Sequence, residues 1–135
     1  IHLAGAGKLG SFASPRYKAF EFVREDLQHV FAAADFVVSR SGANSIFELL
    51  ALRKPMLLIP LEIGSRGDQV VNAASFEEKG WALVLRERDL SKVTLAEGLT
   101  QLCSKSAAMR AKQGDHDGRA ATTRVLDAIQ GAVAH

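Results

Sequence analysis

The sequence is short of several things, and each shortage excludes a class of protein. It has one cysteine, Cys103, so no internal disulfide can staple the chain, and a reducing compartment is expected. Three prolines among 135 residues rule out a proline-rich linker or recognition stalk. No apolar run approaches the roughly 18 residues of a membrane-spanning helix, and the longest, Pro55 to Leu61, is strand-sized. Charge of one sign is missing too: 17 basic against 15 acidic residues leave a net charge of +2. Nucleic acid is therefore not expected as a partner, nor is direct insertion into a membrane. The opening Ile1-His2-Leu3-Ala4 has no basic region of a secretion signal and reads like the middle of a strand.

What is present is an ordinary core. Hydrophobic residues make up 47% and charged residues 24%, against disorder and for one soluble domain. Ile1–Ala4, Ala19–Val23, Phe36–Ser39, Met56–Ile59 and Ala82–Leu85 read as short strands. Between them lie helical patterns. Leu27, Val30, Phe31 and Ala34 share one face, Ile46, Leu49, Leu50 and Arg53 belong to a second helix, and Gln69 to Lys79 form a third, closed by Gly80. This alternation predicts an α/β fold, a parallel sheet with helices on both faces. Beyond residue 90 only helices are expected. Thr94 with Glu97 has capping-box spacing, Cys103 joins Leu99 and Leu102 on the apolar face, and Asp117 starts a last helix to Ile129.

In such sheets ligands bind beyond the carboxyl ends of the strands. Gly5-Ala6-Gly7-Lys8-Leu9-Gly10 spells a dinucleotide fingerprint, but Ser11 to Pro15 after it carries no helical pattern, so it reads as a surface turn. Arg40-Ser41-Gly42-Ala43-Asn44-Ser45 is different, because a helix follows at once. Its small residues admit a phosphate to the helix amino end, with Ser41, Asn44 and Ser45 as polar donors. Glu48, one turn on, can accept the paired hydroxyls of a ribose, or it is a solvated acid, with Ser41 and Asn44 mere caps. Asp68, Gln69 and Asn72 open the next helix and suit sugar hydroxyls and amides, or else face water. Phe22 and Val23 end a strand, where a nucleobase could lie, although burial explains both equally. His2, His29, His116 and His135 are scattered without a metal-ligand spacing, and His116 reads as part of a solvated turn; neither metal nor cofactor is expected.

Residues 34–48, Ala-Asp-Phe-Val-Val-Ser-Arg-Ser-Gly-Ala-Asn-Ser-Ile-Phe-Glu, resemble the donor-binding segment of the MurG family of glycosyltransferases. Residues 54–60 and 65–73 continue the likeness, which is clear to about Leu90 and looser beyond. The resemblance implies the carboxyl-terminal, Rossmann-like half of a GT-B transferase of glycosyltransferase family 28. Residues 1–135 would then be a nucleotide-sugar-binding domain lacking its first strand, with residues 91–135 a helical tail within it. It implies an inverting enzyme moving GlcNAc from UDP-GlcNAc to lipid-linked muramyl-pentapeptide in peptidoglycan synthesis. The enzyme would sit in the cytoplasm, peripheral to the inner face of the cell membrane. The Ser41-Gly42-Ala43 turn with Asn44 and Ser45 would cradle the diphosphate, and Glu48 would take the ribose. Asp68, Gln69 and Asn72 would hold GlcNAc, while Phe22 and Val23 would line the uracil side. Catalytic groups and acceptor binding are expected in an amino-terminal domain outside these residues, and the isolated chain is expected to transfer no sugar. Two alternatives stay open: the binding subunit of a two-subunit lipid-linked GlcNAc transferase, or a UDP-GlcNAc epimerase.

Overall fold

A computed structural model describes residues 1–63 and 66–116. The last helix expected from Asp117 lies outside the described residues, as do Gly64 and Ser65 of the loop before Asp68. The chain divides into two compact units, Ile1–Ala34 and Asp35–His135, and both carry the parallel strands that the alternation predicts.

In the first unit, β1 (His2–Leu3) and β2 (Ala19–Phe20) pair in parallel, and α1 (Leu27–Ala33) follows. Leu27, Val30, Phe31 and Ala34 are its half-buried positions, while Gln28, His29, Ala32 and Ala33 are exposed, as the spacing predicts. The Gly5–Gly10 segment leads into no helix. The Gly7 N–H donates to Glu21 Oε1 at 3.0 Å, and the Lys8 N–H to the Gly5 carbonyl at 3.2 Å. A carboxylate of the chain itself occupies this glycine turn.

The second unit holds β3 (Val37–Ser39), α2 (Ala43–Ala51), β4 (Met56–Leu58), α3 (Asp68–Glu78), β5 (Leu83–Val84) and α4 (Lys92–Gly114). Its strands are parallel in the order β3-β4-β5, with Val37 opposite Met56 and Leu57 opposite Leu83. Successive side chains of a strand face opposite sides, yet Met56, Leu57 and Leu58 are all buried, so β4 is covered on both faces. Leu57 packs with Leu102 and Met109 of α4, ringed by Leu83, Leu85 and Leu95. Gly98 lets α4 come this close, since a Cβ there would stand 3.1 Å from Leu57 Cδ2. Each such buried side chain contributes about 1.5–3 kcal/mol of transfer free energy. Ile46, Leu49 and Leu50 of α2, with Ala73 and Phe76 of α3, supply the rest of the core.

The structure corrects four local expectations. The helix after β5 starts one turn early, because Ser91 rather than Thr94 caps it. Ser91 Oγ accepts from the Thr94 N–H at 3.1 Å, and Thr94 Oγ1 accepts from the Ser91 N–H at 2.9 Å, which leaves Glu97 no capping part. Cys103 is exposed, because Leu102 takes the buried direction and the next residue turns about 100° away. Arg53 is not in α2 but just beyond it, at φ 50°, with Lys54 N bonding to the Leu49 carbonyl and Arg53 N to the Leu50 carbonyl. This is a Schellman end, and α3 ends the same way at Gly80, whose φ is 67°. His116 is half-buried rather than simply solvated in its turn: its ring meets Trp81 edge-on with centroids 4.9 Å apart.

Candidate functional site

The carboxyl ends of the parallel strands in the second unit carry most of the polar candidates. After Ser39 the chain turns through Arg40-Ser41-Gly42 into α2, and Ser41 is fully buried there. Its Oγ donates to the Gln69 carbonyl at 2.7 Å, while Asn72 Nδ2 donates to the Ser41 carbonyl at 3.1 Å. Gln69 Oε1 in turn accepts from the Leu61 N–H at 3.0 Å. These bonds join the turn before α2, the loop after β4 and the first turn of α3. Three side chains read from the sequence as ligand donors are thus engaged inside the protein, where they hold the loops in place.

What stays open is the amino end of α2. Gly42 is the cap residue, with φ −64° and ψ 137°, and among the described residues no side chain caps the helix. The first-turn N–H groups have no acceptor within the helix, and they carry its partial positive charge. Ala43, Asn44 and Ser45 are exposed around them. Glu48 is exposed on the same face, four residues after Asn44 and three after Ser45. Helix α3 repeats the arrangement: Gly67 caps it at φ 83° without a side-chain bond, and exposed Asp68 is its first residue. The bonds from Ser41 to Gln69 and from Asn72 to Ser41 draw this second amino end toward the first. Chemically, the set offers backbone donors for an anion, then a carboxylate and amides for neutral hydroxyls.

The first unit holds Phe22 and Val23. Phe22 is 60% exposed, and with Phe20, Val23, Arg24, Glu25 and Asp26 it lines an open concavity of about 420 Å³. Among the described residues there is no group of His, Cys, Asp or Glu fit for a metal ion, and no helix long and apolar enough to cross a membrane. Sequence reasoning assigned no task to Arg40. Its Nη1 donates to the Ile59 carbonyl at 3.2 Å and its Nη2 to Glu87 Oε1 at 2.6 Å. A partner 47 residues away leaves no local spacing to read.

The sequence pattern of the glycosyltransferase family 28 C-terminal domain matches residues 5–130. A UDP-N-acetylglucosamine–N-acetylmuramyl-(pentapeptide) pyrophosphoryl-undecaprenol N-acetylglucosamine transferase of Geobacillus kaustophilus is 55% identical over 105 residues, 76% of this chain and 29% of that protein. A Clostridium botulinum protein of the same name is 44% identical over 132 residues, 96% of this chain and 37% of that protein. The chain therefore spans well under half the length of these curated relatives. In structure it is similar to MurG of Acinetobacter baumannii, with a TM-score of 0.71 at 25% identity over 84% of this chain and 35% of the other. The parallel strands and flanking helices are those of the Rossmann-like half of that GT-B fold, and with a family pattern spanning nearly all of its length the chain belongs to glycosyltransferase family 28, as a C-terminal domain.

Proposed function

We propose that the chain is the donor-binding part of an inverting transferase that moves GlcNAc from UDP-GlcNAc to a lipid-linked muramyl-pentapeptide, the transfer for which its relatives are named. The observation that carries this reading is the uncapped amino end of α2, held open by a braced turn and followed by an exposed acid. The first-turn N–H groups of Gly42 to Ser45 bind the diphosphate, and Glu48 accepts the two ribose hydroxyls. Asp68 meets the GlcNAc together with the Nε2 amide of Gln69, whose Oε1 is held by the Leu61 N–H, while Asn72 and Ser41 fix the approach of α3 to that place. In the reaction an acceptor hydroxyl attacks the anomeric carbon from the face opposite the leaving UDP, which inverts that centre. Negative charge grows on the departing diphosphate, and backbone dipoles already aimed at it stabilise that charge without reorganising. The acceptor, its general base and contact with the inner face of the membrane belong to other parts of the full-length enzyme.

The test is calorimetric titration of the chain with UDP, UDP-GlcNAc and UDP-glucose. Glu48→Ala is expected to weaken all three by about 1–3 kcal/mol, the worth of hydrogen bonds to a charged acceptor. Asp68→Ala is expected to erase the preference for UDP-GlcNAc over UDP-glucose and leave UDP nearly unmoved. Equal affinities for wild type and Glu48→Ala would remove the ribose assignment.

A further inference from the structure

Arg40 stands where three strands end. It follows Ser39, the last residue of β3, and donates to the carbonyl of Ile59, the residue after β4. Its other fork reaches Glu87, in the short 3₁₀ turn that follows β5. One guanidinium therefore ties the carboxyl ends of all three strands of the second unit. That task needs a planar fork with separate donors, which an ammonium lacks. Arg40 also directly precedes buried Ser41, so its direction sets how the chain enters α2.

We infer that Arg40, paired with Glu87, is a positioning residue for the anion-facing turn: it aims the first-turn N–H groups of α2 at a diphosphate. The inference rests on the donor-binding reading above. The pair is well placed for a local task and poorly placed for a global one. Its side chains are 49% and 31% exposed, and ion pairs that open to solvent contribute little to overall stability. The rival role is direct contact, with Glu87 a mere placeholder until a phosphate takes the guanidinium. The two roles predict opposite signs for the loss of Glu87.

The experiment compares UDP affinity, melting temperature and amide exchange in the wild type, Arg40→Met, Arg40→Lys, Glu87→Gln and the double variant Arg40→Met/Glu87→Gln. Arg40→Met is expected to weaken UDP about tenfold and Glu87→Gln about threefold, with melting unchanged. The double variant is expected to be no weaker than Arg40→Met, because the two residues act as one unit. Arg40→Lys should fall between, since it holds one partner but not both. Without ligand, exchange should quicken in Arg40→Met at Ile46 and Leu61, whose N–H groups bond to the Gly42 carbonyl and Gln69 Oε1. Exchange at Trp81, bonded to the Phe76 carbonyl, should not change. Tighter UDP binding in Glu87→Gln, or unchanged exchange at Ile46 and Leu61, would overturn the inference. A wild-type chain that binds no UDP would remove the donor-binding reading instead, and the exchange data would then decide the role of Arg40 alone.

Discussion

The amino ends of α2 and α4 solve the same problem in opposite ways. Every helix begins with N–H groups that lack partners inside it. At α4 the Ser91 and Thr94 side chains answer each other's backbone N–H groups, and Thr94 also donates to the Asp89 carbonyl at 2.8 Å. At α2 the cap is Gly42, and among the described residues no side chain caps the helix. Conformation does not require a glycine there. Its φ of −64° and ψ of 137° suit any residue, and a Cβ would meet nothing within 4 Å. A serine or aspartate would have stabilised the helix, so the missing cap is a cost in stability that leaves donors for a ligand. Around that open end the structure is tightly held, through Ser41, Gln69, Asn72 and Arg40. Donors fixed from behind by such bonds and not taken by a side-chain cap among the described residues form the arrangement that favours electrostatic binding.

The largest effect should come from closing the open end. Gly42→Asp fits without strain and gives α2 a carboxylate cap. Helix stability should rise by a few tenths of a kcal/mol, the usual gain over a glycine cap. UDP affinity should fall by about 2 kcal/mol, because the new carboxylate takes the donors and repels the diphosphate. Denaturant unfolding and calorimetric titration of the same sample measure both. Stability and affinity that rise together would mean the diphosphate binds elsewhere.

The amino end of α3 sharpens the contrast, because its glycine is required for a different reason. Gly67 has φ 83°, a backbone shape that costs an L-residue about 1–2 kcal/mol. A Cβ there also meets nothing within 4 Å, so strain alone should decide the outcome of Gly67→Ala. A loss of about that size is expected in urea unfolding, whereas Gly42→Ala strains nothing and should cost only about 0.5 kcal/mol, the difference between glycine and alanine as caps. Equal losses at both positions would show that the two glycines serve one purpose.

Much of this was legible in the sequence. The strand at Met56 is continuous and apolar because both of its faces are covered, and the flanking Pro55 and Pro60 keep the run to strand length. The turn at Ser41-Gly42 was found because small residues stood between a strand pattern and a helix pattern. What the sequence hid are side chains with distant partners. Ser41 and Asn72 look like offered donors, yet they bond across 28 and 31 residues to hold the loops. Arg40 was opaque for the same reason. The glycine fingerprint at Gly5 to Gly10 lacks the helix that dinucleotide binding needs, and Glu21 accepts from its turn. At the start of α4 two hydroxyl residues three apart competed with a hydroxyl–acid pair of the same spacing, and spacing cannot choose between them.

That capped end also supplies the smallest and cleanest test of the comparison. Ser91→Ala removes one half of the reciprocal cap at α4, while Thr94 keeps its bond to the Asp89 carbonyl. Loss of an N-cap hydroxyl costs about 1 kcal/mol, so the unfolding midpoint should shift by that amount. Helix α4 is anchored in the core by buried Leu102 and Met109, with Leu95 of its first turn packing only at the edge, so the sheet and its strand ends should keep their places. UDP affinity should therefore stay at the wild-type value. Two changes at helix amino ends would then separate stability from binding: a cap lost at α4 lowers stability and leaves binding unchanged, and a cap gained at α2 lowers binding while stability rises slightly. If Ser91→Ala weakens UDP as well, the strand ends are coupled to α4, and the site depends on the whole unit rather than on its own braced turn.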